Sequence, residues 1–140
     1  MQAVLDDDYD ARSNMALAAT FAGVGFGNAG VHLPHGMSYP VSSLVKKSRP
    51  EGYPEENAIV PHGMAVILNA PAVFRYTAES NPERHIHAAK LLGTNISGVR
   101  PEEAGDVLSD RIIQILQEIG APNGLGELGY TANDIPALVE

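Results

Sequence analysis

The stretch Gly25-Phe26-Gly27-Asn28-Ala29-Gly30 decides the fold, because it reads in two incompatible ways. Spaced as GxGxxG, it matches the fingerprint of a dinucleotide-binding turn. That turn needs a strand before it, a helix opening from it and an acidic residue about 20 positions further on. Read instead with what precedes it, the stretch closes a helix from Ala11 to about Gly30, with Met15, Ala18, Ala19, Phe21, Ala22 and Phe26 at helical spacing. The helical reading wins. The sequence upstream is rich in Ala and Met rather than β-branched residues. Downstream, Val31-His32-Leu33-Pro34 breaks before any helix could hold a pyrophosphate, and Glu51, at the right offset, lies in a charged loop. Gly23, Gly25, Gly27 and Gly30 each cost helix propensity. Glycines repeated in an apolar helix predict close approach by another element, so much of this helix is expected to be buried.

Outward from this segment the pattern stays helical. Residues 1–10 form an acidic lead-in with Asp6, Asp7, Asp8 and Asp10, suited to the positive end of the helix that follows. A short helix is predicted from His35 to about Leu44. Residues 45–60, with Pro50, Gly52, Pro54 and several charges, read as an exposed loop. Helix resumes with Pro61 at its first position and is predicted to break or kink at Pro71 before Val73. Asn81-Pro82-Glu83 starts another helix, stopped by Gly93. From Pro101 the stripe Ala104, Val107, Leu108, Ile112, Ile115, Leu116 and Ile119 is the cleanest periodicity in the chain, ended by Gly120. Thr131 is placed to cap a last short segment. With no alternating strand, the reading is an all-α domain over residues 11–140, of five to seven helices and one long loop.

Composition excludes several functions. The chain has 140 residues and no Cys, so any metal must be held by His, carboxylate or water. Its net charge of −8 opposes a broad nucleic-acid surface, which needs Lys and Arg in number. No apolar run reaches the roughly 20 residues of a membrane span, and Met1 leads into acid rather than a basic leader, so the expected compartment is the cytoplasm. A mitochondrial address stays open if the chain is a fragment.

The chemistry concentrates on a repeated tetrapeptide, Pro34-His35-Gly36-Met37 and Pro61-His62-Gly63-Met64. His35 and His62 are too far apart for one helical face, yet each follows a Pro suited to a helix start. At the starts of adjacent helices they would converge on one divalent ion, Fe²⁺ or Zn²⁺. The competing reading makes both polar helix-start residues bonded to backbone, and the residues alone do not choose between the two. His32, three positions before His35, is a pocket neighbour rather than a ligand on this reading. His85 and His87, on a mostly polar helix and not sharing a face, read as solvent-exposed.

The run from Gly23 through Pro34-His35-Gly36-Met37-Ser38-Tyr39-Pro40, with Val60-Pro61-His62-Gly63-Met64, resembles the iron-containing alcohol dehydrogenase family, in particular its hydroxyacid–oxoacid transhydrogenase branch. Pro71-Ala72-Val73-Phe74, Pro82-Glu83-Arg84-His85 and the segment from Gly129-Tyr130-Thr131 through Val139 continue the likeness. The resemblance implies part of the C-terminal helical domain of the dehydroquinate synthase-like fold. In that fold an N-terminal α/β domain holds NAD(P), and the helical domain holds a divalent metal through an Asp and three His. Two of those ligands match His35 and His62; the others would precede residue 1.

Where many family members carry a further pocket His, this chain has Tyr39, so any proton relay would fall to Tyr39, His32 or water. The implied reaction is hydride transfer from a hydroxyl-bearing carbon of a small alcohol or hydroxyacid to a nicotinamide, the metal polarising the oxygen. Lys46, Lys47 and Arg49 would meet a substrate carboxylate if their loop folded toward the cleft. On this reading the chain is inactive alone, weakly metallated, completed by a separate N-terminal nucleotide-binding subunit, and prone to homo-oligomerise through uncovered apolar surface. The alternative is a non-catalytic helical scaffold or protein-interaction module derived from such an enzyme.

Overall fold

Helix-start and helix-stop chemistry sets nearly every element boundary. A computed structural model of the chain describes residues 6–54 and 56–140. Among them no strand is formed, and the protein is all-α. Residues up to His32 make one compact unit and Leu33–Glu140 a second.

The first unit is α1, Tyr9–Ala29. Asp8 caps it, its Oδ1 accepting from the Ala11 N–H at 3.0 Å. At the far end Gly30 adopts φ +78° and donates to the Phe26 carbonyl at 2.8 Å, the left-handed stop that glycine permits. The glycine-rich stretch is therefore helix, as its periodicity indicates. The expected burial is absent: α1 buries no residue, and Met15, Phe21 and Phe26 are exposed. A Cβ at Gly23, Gly25 or Gly27 would meet nothing within 4 Å, so the close approach these glycines suggest is not made within the described residues.

The second unit packs α2 (Leu33–Ser43) on α3 (His62–Thr77), and both α3 and α4 (Pro82–Leu91) on α5 (Ala104–Glu118). α4 begins as Asn81-Pro82 dictates: Asn81 Oδ1 accepts from the Arg84 N–H at 3.2 Å, with Pro at the first helical position. Along α5, Ala104, Leu108, Ile112 and Leu116 are buried; Ile119, at the C-cap, leaves the expected stripe and is 53% exposed. Leu108, Ile112 and Leu116 join Val41, Val60, Leu68, Leu128 and Tyr130 in one core. The long loop is largely exposed, with Val45 packed against the core at one end and Val60 buried at the other.

The predicted break at Pro71 does not occur. Helix α3 runs through it, because the cost of an interior Pro, about 3 kcal/mol, is offset by burial of Leu68, Ala70, Pro71 and Val73. The Pro71 carbonyl also accepts the hydroxyl of Ser109, fully buried on α5, at 2.7 Å. Close by, Gly105 lets α5 approach α3: a Cβ there would lie 3.0 Å from Ala78 Cβ and 3.0 Å from Arg75 Cα. Arg75 closes that crossing on its solvent side, donating to Asp106 at 2.7 Å and Asp110 at 2.6 Å.

The C-terminal segment folds back over α2. Tyr130 donates its hydroxyl to the Val41 carbonyl at 2.7 Å, a buried bond. Thr131 caps the turn Ala132–Asp134 that leads into α6 (Ile135–Leu138). Lys46 donates to Asp134 Oδ1 at 2.8 Å, and the Thr131 N–H donates to Oδ2 at 2.8 Å. These bonds, that from Lys46 foremost, hold the Asp134 carboxyl down to about 2.

Two outcomes follow from these contacts. Gly105→Val is expected to lower stability by about 2 kcal/mol, by overpacking against the α3 backbone, as measured by urea unfolding. The fold favours the ionised form of Asp134, whose pKa lies below its ordinary value of 3.8. Its contribution is present above that value and is lost as pH falls through about 2. Asp134→Asn should therefore destabilise the protein at neutral pH and flatten the acid limb of a stability–pH profile.

Candidate metal centre

His35 and His62 are brought together by the packing of α2 on α3. His35 lies in the first turn of α2 and His62 is the first residue of α3, with Pro61 as its N-cap at φ −55° and ψ 142°. Pro61 thus stands one position outside the helix rather than at its first residue. An extended Val60-Pro61 is what delivers His62 to the helix start, and it is anchored twice. Val60 is buried in the core, and Ser42 of α2 donates to its carbonyl at 3.4 Å. On the other side Ser38, fully buried, donates to the His35 carbonyl at 2.7 Å and fixes the turn that carries His35.

The two imidazoles face each other with ring centroids 5.4 Å apart and planes tilted by 59°. With metal–nitrogen bonds of about 2.0–2.1 Å and tetrahedral angles, two imidazoles on one ion have centroids about 5 Å apart. The 5.4 Å separation of the pair is of that size. Its rings are half-buried (His35) and exposed (His62), open to whatever else binds there. Among the described residues no group of three or more His, Cys, Asp or Glu is gathered closely enough to hold a metal.

Tyr39, one helical turn after His35 on α2, has its ring 6.4 Å from that of His62 and is 65% exposed. His32 lies in the short segment after α1, exposed, in the first unit. Gly36 and Gly63, beside the two histidines, border open space, since a Cβ on either would meet nothing within 4 Å.

Two sequence readings change. His85 is half-buried, not a solvent residue: Nδ1 lies 2.8 Å from the Asn81 carbonyl oxygen and Nε2 3.1 Å from Thr77 Oγ1, with the ring edge-on to Phe74. The polar sequence of α4 hid this, because the partners come from α3 and the turn before α4. His87 is exposed as expected. Lys47 and Arg49 of the basic loop border a hollow with Met64 and Leu128, but all three of the loop's cations also have partners nearer at hand. Lys46 is paired with Asp134, the Lys47 stem lies against Gly129, and Arg49 donates to the Lys47 carbonyl at 3.2 Å. That cluster is a clasp for the C-terminal segment.

Comparison with known proteins places the sequence in a family. The profile of the Fe-containing alcohol dehydrogenase family, C-terminal part, matches residues 1–140. The chain is 51% identical over 134 residues to the mitochondrial hydroxyacid-oxoacid transhydrogenase of Rattus norvegicus, covering 96% of this chain and 29% of that protein. Identity is 53% over 136 residues to a probable mitochondrial hydroxyacid-oxoacid transhydrogenase of Dictyostelium discoideum, covering 96% and 25%. It is 50% over 134 residues to the human mitochondrial enzyme of the same name, covering 96% and 29%. The chain thus spans between 25% and 29% of the length of these relatives. All three are mitochondrial by name, which overturns the expectation of a cytoplasmic protein. A compartment is addressed by a leader read apart from the folded body, so the composition and charge of a domain do not report it.

Proposed function

The chain belongs to the iron-containing alcohol dehydrogenase family, and from that premise we propose that it is the metal-binding helical portion of a mitochondrial NAD(P)-dependent hydroxyacid–oxoacid transhydrogenase or iron-type alcohol dehydrogenase. The observation that carries this reading is the convergence of His35 and His62, rings 5.4 Å apart, from the first turns of two packed helices. Nothing in the helix packing requires two imidazoles to face each other there, and both rings leave open space beside them. His35 and His62 would hold a divalent ion such as Fe²⁺ or Zn²⁺. Once bound, such an ion supplies Lewis acidity toward a substrate oxygen.

The residues of this chain would do the rest of what falls to it. Ser38 and Ser42 fix the backbone that aims the two rings. Tyr39, exposed beside His62, is placed to take a hydrogen bond from a substrate hydroxyl or donate one to it. His32 is a second candidate for proton handling, with its place relative to the pair left to experiment. The nicotinamide site would come from an N-terminal nucleotide-binding part, on the same chain or a separate one, and the substrate would be a small alcohol or hydroxyacid. The chain alone is expected to be inactive.

Metal analysis of the chain alone and together with the N-terminal part of a relative tests this reading. Weak, substoichiometric metal is expected alone. With the partner, near-stoichiometric metal and hydroxyacid-dependent NAD reduction are expected, both lost in His35→Ala and in His62→Ala. Dehydrogenase activity of the isolated chain would refute the division of labour. Full metal binding that survives both substitutions would refute the ligand assignment, leaving a non-catalytic scaffold as the reading. The exposed apolar residues of α1, Met15 at 64% and Phe21 at 65%, further lead us to expect self-association of the isolated chain. Sedimentation should show species heavier than 14.8 kDa, and a strict monomer at high concentration would contradict it.

A further inference from the structure

Within Asn81-Pro82-Glu83-Arg84-His85, Asn81 caps α4, Pro82 opens it, and His85 joins it to Thr77 of α3. Arg84 has no such task. Its side chain is exposed and makes no hydrogen bond or ion pair among the described residues, whereas Arg12, Arg75, Arg100 and Arg111 are each paired with a carboxylate.

Beside Arg84 opens a hollow of about 410 Å³ between α4 and α5, within the range of small-molecule sites. Buried Leu108 and Ile112 form its floor; Phe74, Ala88 and Leu91 line it, with Leu91 left 74% exposed. Arg84, Ala88 and Leu91 stand at positions i, i+4 and i+7, on one face of α4. The cation is therefore at one end of an apolar trough and leucine at the other. Seven residues of helix separate them by about 10 Å, close to the length of an extended chain of about eight carbons. The chain as a whole carries −8 and repels anions, so a lone unpaired guanidinium at the mouth of an apolar trough is a local exception.

We propose that this hollow binds an unbranched, medium-chain carboxylic acid, its tail between α4 and α5 and its carboxylate on Arg84, at a site distinct from the histidine pair. A charge-assisted bond at one end and burial of methylenes along the rest supply the two contributions such a ligand needs.

The test is a titration of the protein, followed by methyl-resolved NMR, with octanoate, with octanol (the same tail uncharged) and with butyrate (the same head without a tail). Saturable shifts at Leu91, Leu108 and Ile112 are expected with octanoate, at least about tenfold weaker with octanol, the scale of one hydrogen bond to a charged group, and with butyrate, which lacks four methylenes to bury. Arg84→Gln should weaken octanoate binding about tenfold and leave octanol unchanged. Arg84→Lys should retain most of it, and His35→Ala should have no effect. Equal affinity for octanol and octanoate, shifts centred on Phe21 and Phe26 of α1, or no saturable binding would each overturn the proposal. None of these results bears on the metal centre, so the two readings fail independently.

Discussion

Helix α3 lies against α5 only because residue 105 has no side chain. At that crossing the Gly105 α-carbon faces the Arg75 backbone with no room for a methyl group between them. The Ser109 hydroxyl, fully buried, then finds the Pro71 carbonyl as its acceptor. A buried hydroxyl without a partner would cost about 1–3 kcal/mol, so the crossing has little freedom to slide. The position of α3 in turn fixes where His62 starts, and α2, packed on α3, fixes His35. The Tyr130 hydroxyl on the Val41 carbonyl and the Lys46–Asp134 pair hold the C-terminal segment across α2. The placement of the two histidines at two helix starts thus depends on a contact at the far end of α3.

Sequence reasoning recovered the elements whose boundaries are set by local chemistry. Asn81-Pro82 at one end of α4 and Gly93 beyond the other act through bonds within a few residues, and so does the Asp8 cap of α1. Gly25 to Gly30 was resolved as helix by what flanks it, since a fingerprint without a strand before it has no phosphate-binding geometry. The misreadings share a cause, which is that the deciding partner is distant in sequence. Pro71 stays helical because of Ser109 and the packing on α5, His85 is enclosed by Thr77 and Phe74, and Lys46 answers to Asp134. No local pattern encodes these pairings.

The candidate site was legible in a different way. The repeat of Pro-His-Gly-Met marked two helix starts, and only resemblance to a family proposed them as ligand positions; spacing alone left the choice open. The structure contributes the 5.4 Å approach of the rings, which neither periodicity nor composition encodes. What α1 packs against was not legible either: its glycines signal close approach in sequence, and a Cβ at Gly23, Gly25 or Gly27 meets nothing within 4 Å.

The location of the pair also constrains what completes it. His35 is in the first turn of α2 and His62 is the first residue of α3, so both rings stand at the positive ends of helix dipoles. Each such end acts as roughly half a positive charge. A divalent cation held there by two neutral imidazoles would meet repulsion from both helices and receive no compensating charge from its ligands. Histidine ligands alone are therefore a poor solution at this position, however well their geometry suits the ion. A further ligand that is anionic, a carboxylate or the ionised oxygen of a bound small molecule, would offset that repulsion. Such a ligand would gain from the same two dipoles that oppose the bare cation. The electrostatics of the two helix starts thus favour an ion that arrives together with a negative charge, the condition under which a substrate alkoxide would also be stabilised.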